Sequence, residues 1–441
     1  MKIAWFTPFP KKSAIGKYSL IITNELIKHF KVDLWLSEKE TELLPTELKV
    51  YHYQLNEKWL RQLCKYDFVV YNLGNHLYFH KDIYEVSKQI PGFVILHDFV
   101  MHHFFAGYYL EQKQDPGGYI QDMKQLYEEN GRKIAIDSIN GTCTPIWETE
   151  EVMQYPLFEK AIEGANGIIV HSHYLAQKVK QRFLGPVGVI YHPYTFEKSI
   201  AHGKVKKTDL GMPKDKIIMV TLGHVNPNKR IDKVIEVLGK DKDLASKIIY
   251  LIIGPHEHIQ YFSYLQSLVK KYDLQGSVKF LGFQADSILY AYMQHADIFV
   301  NLRFPAMEGA SWSLVEQLYF GKPVMVTDTG FYSELPNDCV MKIRIDAEKN
   351  DIYKTLKKLV NDVKMREKIG TKGRKFAEEH FTVHKYCHKF FEFLKKVEHF
   401  KPVLGLIDTA GRELASMGVS GDMEVVDAVS QEIYNMFKEG H

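Results

Sequence analysis

Short apolar runs alternate with amphipathic stretches along most of the chain. Residues 2–6, 32–36, 68–73, 93–96, 167–171 and 187–191 read as short buried strands, while 17–30, 156–164 and 174–183 repeat apolar residues at helical spacing. Ser172 stands where a helix N-cap belongs. A second series follows the polar stretch 197–216. It has strands at 217–222, 248–253, 278–282, 297–302 and 323–327, with helices opening at Ile231 and covering 260–271, 287–295 and 310–320. Gly321 and Pro323 close the last of these helices. From 351 onward the pattern is helical, at 351–364, 365–379, 386–399, 404–414 and 424–437. Such strand–helix alternation predicts an α/β fold with parallel sheets and ligands bound beyond the carboxyl ends of the strands.

At 441 residues the chain is too long for one ordinary domain. The patterns divide it into an N-terminal domain over 1–196, a second over 197–380, and a helical tail over 381–441 expected to cross back onto the first. Hydrophobic residues at 45% and charged residues at 25% are those of a soluble globular protein. A net charge of +3 makes no electrostatic case for nucleic acid. Cys64, Cys143, Cys339 and Cys387 are scattered without CxxC spacing, so neither a zinc site nor a disulfide framework is signalled. The apolar run at MKIAWF is too short for a signal peptide, and no uninterrupted run of 18 apolar residues suggests a membrane span. The expected location is therefore the cytoplasm. Aromatic residues reach 13% and concentrate in 104–127, around Asp115-Pro116-Gly117-Gly118; they are expected to fill a core, with a functional rim suited to sugar rings or lipid headgroups, the alternative being core alone.

The candidate chemistry gathers at strand ends. After the strand ending at Leu302, Glu308 before the next helix and Glu316 about one and a half turns inside it bracket Gly309, Ala310 and Ser311. Small residues at a helix N-terminus leave backbone N–H groups and the helix dipole to an anion, and a carboxylate on either side suits hydroxyls at both ends of a nucleotide sugar. The plain alternative is a surface helix with two solvated glutamates. A second such place is the loop Gly223-His224-Val225-Asn226-Pro227-Asn228-Lys229-Arg230, where a glycine turn and two adjacent cations precede a helix; the alternative there is a solvated loop. In the first half, the loop carrying Ser13, Ile15 and Gly16 follows the first strand, with no GxGxxG fingerprint. His97-Asp98 closes a strand, with His102 and His103 close behind. These residues read as a hydrolase metal pair, as an Asp98 helix cap with packed histidines, or as a side chain at a strand end facing a ligand crevice. Metal would need further ligands from elsewhere. Lys178, Lys180 and Arg182 form a basic helix face, solvated or facing an anionic membrane surface.

Taken together, TLGHVNPNKRID, YLIIGP, VKFLGF, ADIFVNLR, EGASWSLVE and GKPVMVTDTG in the second half resemble the retaining nucleotide-sugar glycosyltransferases of family 4. SAIGKYS, VILHDFVMHH and GIIVHSHYL in the first half resemble the matching acceptor domain. The resemblance covers most of residues 1–400 and implies the GT-B fold, two facing Rossmann-like domains. It implies that Glu308 contacts hydroxyls of the donor sugar, Glu316 the ribose, and Lys229 the diphosphate, with His97 beside the anomeric carbon and Gly16 near the phosphates. Two positions depart from the pattern: His224 stands where the family has an arginine, and Arg230 where it has a glycine, so that Arg230 is expected to supply the missing cation. The implied partners are a UDP- or GDP-linked sugar and a glycan or lipid-linked acceptor of bacterial-type surface polysaccharide, with peripheral membrane contact and no nucleic acid. Neither metal nor other cofactor is expected. A nucleotide-sugar epimerase and a non-catalytic glycan-binding scaffold of the same fold are the alternatives.

Overall fold

The computed structural model describes residues 1–37, 39–195, 205–419, 421 and 424–438. Residues 197–204 of the expected interdomain crossing lie outside the described residues. The chain divides into two compact units, Met1–Ile190 with His384–His441, and Tyr191–Val383.

The N-terminal unit is built on seven parallel strands: β1 Lys2–Phe6, β2 Lys31–Ser37, β3 Lys49–Tyr53, β4 Phe68–Leu73, β5 Phe93–Leu96, β6 Gly167–Val170 and β7 Val187–Val189. Their order is β3-β2-β1-β4-β5-β6-β7. The central strands are buried along their length, as helices on both faces of a parallel sheet require. β3 lies at the sheet edge with mixed exposure, so its sequence carries neither an apolar run nor a clean alternation. Order reverses between β1 and β4, which opens a crevice beyond their carboxyl ends.

In the aromatic stretch, Phe104, Phe105, Tyr108 and Tyr119 are buried and fill the core. Asp115 is a helix N-cap, its Oδ1 accepting from the Gly118 N–H at 2.8 Å, with Pro116 in the first turn of Pro116–Asn140. Where the pattern suggests two tail helices, one helix runs from Val383 to Ser416 through Pro402. Phe400 and Val403 on either side of the proline pack with Ile433, and this burial holds the helix together past the lost hydrogen bond. Phe393 of the same helix lies against Gly167 and Gly188, where a Cβ would come within 2.9 and 2.7 Å of its ring.

The C-terminal unit has six parallel strands: β8 Ile217–Leu222, β9 Ile248–Ile253, β10 Val278–Gly282, β11 Ile298–Asn301, β12 Val324–Thr327 and β13 Met341–Ile343. Their order is β10-β9-β8-β11-β12-β13. One face buries Val234, Ile235, Leu265, Ile352 and Leu356, and the other Phe299, Leu314, Leu318 and Phe381. The order reverses between β8 and β11, so the loops that follow these two strands flank the switch point. Those are the loops carrying Lys229 and Glu308.

Candidate active site

At the end of β8 the backbone turns through Gly223 with φ +89, a left-handed value that L side chains avoid. A Cβ there would sit 2.5 Å from the Lys229 Nζ, so the glycine also makes room for that ammonium. Lys229 is 6% exposed and its Nζ donates to the Leu222 carbonyl. Arg230, also left-handed at φ +56, turns its guanidinium onto Glu348: Nε donates to Oε1 at 2.9 Å and Nη2 to Oε2 at 2.7 Å. His224 is exposed, its Nδ1 3.7 Å from a Glu257 carboxylate oxygen.

The loop after β11 is tied to the first loop through the Phe304 N–H, which donates to the Asn228 carbonyl at 2.8 Å. It contributes Arg303, 8% exposed, whose Nη1 donates to the Leu302 carbonyl at 2.9 Å and whose Nε lies 3.3 Å from Glu308 Oε1. The Tyr332 hydroxyl donates to the same Glu308 oxygen at 2.6 Å. Burial, and then the positive charge of Arg303, hold Lys229 well below the usual lysine range, with Glu308 opposing them. Gly309 and Ala310 are buried, and Ser311 caps the helix Trp312–Tyr319, its Oγ accepting from the Leu314 N–H at 3.3 Å. The helix therefore starts two residues later than periodicity suggests, because Ser311 keeps an extended backbone as its cap. Within the helix, Glu316 Oε1 accepts from the hydroxyls of Tyr194 and Tyr290, each at 3.0 Å. Both glutamates are thus partly buried and held by tyrosines, unlike solvated surface carboxylates.

In the N-terminal unit, Gly16 lies in the first turn of Ala14–Leu26, where its N–H donates to the Ser13 cap at 3.0 Å. A Cβ on Gly16 would approach the Pro8 carbonyl oxygen to 2.8 Å, so the glycine lets the helix start press against the loop after β1. His97, at the end of β5, is buried with Nε2 3.0 Å from Asn72 Oδ1 and Nδ1 3.3 Å from His171 Nε2. Tyr18 presents its ring edge-on to both imidazoles. Asp98 accepts the Asn75 N–H at 2.8 Å and does not cap a helix; His102–Ala106 starts after Met101 without a side-chain cap. His102 sits between the Tyr155 carbonyl at 2.5 Å and the Tyr119 hydroxyl at 2.6 Å, and His103 Nδ1 lies 3.4 Å from the Asn75 amide nitrogen. The three histidines near Asp98 thus have separate partners.

Arg303, Tyr332, Tyr194, Tyr290, Asn72 and His171 complete these two constellations and were not singled out by sequence. Arg303 had a signal, a lone cation where an apolar strand ends. So had His171, which ends the β6 run as His97 ends the β5 run. The tyrosines come from distant segments and carry no local mark.

Residues 204–376 match the family model for glycosyl transferases group 1. Gly223, Lys229, Arg303, Glu308 and Glu316 all fall inside the matched residues. No curated protein matches the chain in sequence. Among solved structures, Anabaena HepE in complex with UDP is similar with 17% identity and a TM-score of 0.60, over 90% of this chain and 100% of that one. Sucrose-phosphate synthase from Thermosynechococcus elongatus gives 13%, 0.59, 90% and 99%, and a glycosyltransferase from Rickettsia africae 12%, 0.61, 90% and 98%. The fold is GT-B, with two Rossmann-like domains carrying parallel sheets and a set of C-terminal helices. Among the described residues no helix is long and apolar enough to cross a membrane.

Proposed function

We propose that the protein is a retaining glycosyltransferase that moves a sugar from a nucleoside-diphosphate sugar to a glycan or lipid-linked acceptor in bacterial-type surface polysaccharide synthesis. The observation that carries this reading is Glu308, held between Arg303 and the Tyr332 hydroxyl beside buried Lys229, at the switch point of a glycosyl transferases group 1 domain. A fixed carboxylate of this kind accepts hydrogen bonds from sugar hydroxyls, and buried cations beside it stabilise the charge that builds on a departing diphosphate. Glu316, fixed by two tyrosines, takes the ribose hydroxyls. The family resemblance gives His97 the role beside the sugar and Gly16 the role near the phosphates. With Lys229 supplying positive charge in the site, transfer proceeds without metal, and the leaving phosphate assists removal of the acceptor proton. Anabaena HepE was solved with UDP and with UDP-glucose, which supports uridine donors as the first to try.

The test is calorimetric titration with UDP and GDP, followed by a transfer assay with the matching sugar donor, with and without EDTA. Wild-type protein is expected to bind one nucleotide diphosphate and to transfer in EDTA, and Glu308→Gln to lose transfer while keeping its fold. Binding of neither nucleotide would leave the scaffold reading, and release of an isomerised free sugar without acceptor would leave the epimerase.

A further inference from the structure

A nucleoside diphosphate brings two or three negative charges into a site that must otherwise stay folded without them. Besides Lys229, the glycine-turn loop carries two groups that could meet this charge, and both are turned to other partners. His224 is exposed beside Glu257. Arg230 forks onto Glu348, which is itself 7% exposed, and stacks its guanidinium 5.6 Å from the Phe304 ring centre. Drawing Arg230 away would leave that buried carboxylate without its fork, a costly change for ligand binding to drive.

Arg303 reaches the same place from the neighbouring strand. β11 pairs directly with β8, so the residues just past their carboxyl ends, Arg303 and the Gly223 turn, stand side by side across the switch point. Arg303 is buried and within electrostatic reach of Lys229, and both cations share one carboxylate, Glu308. The Tyr332 hydroxyl, which also reaches Glu308, is neutral and adds no charge. With Lys229 protonated, two buried cations stand against one carboxylate and the cluster is one negative charge short, and an arginine offers donors in a planar fork that matches phosphate oxygens.

We propose that Arg303 is a second diphosphate-binding cation beside Lys229, and that the bound diphosphate is the missing counter-charge of the Lys229–Arg303–Glu308 cluster. This rests on the donor-site reading above. It assigns Arg303 to binding, with Arg230 a structural clamp on Glu348.

The experiment compares UDP with uridine, which shares the nucleoside and lacks the phosphates, on wild type, Arg303→Gln, Arg303→Lys and the double variant Arg303→Gln with His224→Arg. Arg303→Gln should weaken UDP binding by about 10- to 100-fold, the worth of one charge-assisted hydrogen bond, and leave uridine binding unchanged. Arg303→Lys should keep most of the UDP affinity, and His224→Arg should restore part of it to the glutamine variant. Arg303→Gln binding UDP as wild type does, or losing UDP and uridine in parallel, would overturn the assignment while wild-type UDP binding leaves the donor site standing. If wild type binds neither UDP nor GDP, the donor-site reading itself is overturned.

Discussion

The Nδ1 of His97 and the Nε2 of His171 lie 3.3 Å apart in the buried interior of the N-terminal unit, and both outer ends of the pair face acceptors. His171 Nδ1 is 2.7 Å from the Ile190 carbonyl. His97 Nε2 is 3.0 Å from Asn72 Oδ1, and that amide is oriented by its nitrogen donating to the Phe6 carbonyl at 2.8 Å. The two outer oxygens can only accept, so each calls for a ring proton, and two neutral imidazoles have two. Each ring therefore donates outward and the inner lone pairs face each other. Nitrogen-15 spectra at neutral pH are expected to show His97 with its proton on Nε2 and His171 with its proton on Nδ1. The opposite tautomer on His97 would break this account.

Burial sets the acid stability of the same unit. It pushes His80, His102 and His171 down to about 4, each opposed by a hydrogen bond to a backbone carbonyl. A histidine lowered in the folded state takes up its proton first when unfolded, so stability falls as pH drops from about 6.5 toward 4. Each group contributes up to roughly 3 kcal/mol of that slope. Urea midpoints between pH 7 and pH 5 measure it. His102→Gln should be less stable at pH 7 and show a flatter pH dependence; an unchanged slope would count against the assignment.

Lys229 titrates in the opposite sense to a paired lysine. Its folded value is depressed by burial and by Arg303, so below the ordinary lysine range the unfolded chain holds the extra proton and stability rises with pH toward alkaline conditions. Lys229→Met should lose this rise along with UDP affinity. An anion placed beside the amine favours its charged form, so UDP binding should take up protons. Calorimetry in Tris and in Pipes at one pH reads the uptake directly, and equal heats in the two buffers would refute it.

Gly223 admits neither a side chain nor an ordinary backbone angle. With φ at +89 and the Lys229 Nζ only 2.5 Å from a built Cβ, Gly223→Ala should displace the lysine and cost about 1–2 kcal/mol of stability. Thermal melts give the stability loss, and UDP titration should show weaker binding than the melt alone explains.

Tyr332 is the positioning residue for Glu308. Tyr332→Phe removes a single hydrogen bond to a charged acceptor within a buried site, a change of about 1.5–3 kcal/mol. If the hydroxyl fixes Glu308 for the sugar, turnover should fall more than UDP affinity does, since UDP carries no sugar. Equal losses in both would assign Tyr332 to general packing.

Periodicity alone located the central strands, because a strand buried on both faces must be apolar along its length. It also located the glycine turn at 223 and Glu308, which follow strands and precede helices in the local sequence, and Glu316 inside the second of those helices. It passed over β3 and β13, whose edge positions leave them short or half-exposed, and it broke the Val383–Ser416 helix at Pro402, where distant packing outweighs a local breaker. The parallel α/β architecture and the residues ending each strand are therefore properties of the linear chain. Which of those residues meet was decided by the order of the strands. Setting β11 beside β8 brings Arg303 to Lys229, and setting β6 beside β5 brings His171 to His97. Arg230, adjacent to Lys229 in sequence, turns away because its left-handed backbone aims it at Glu348. Side-chain direction and strand adjacency are long-range quantities, and spacing along the chain does not contain them.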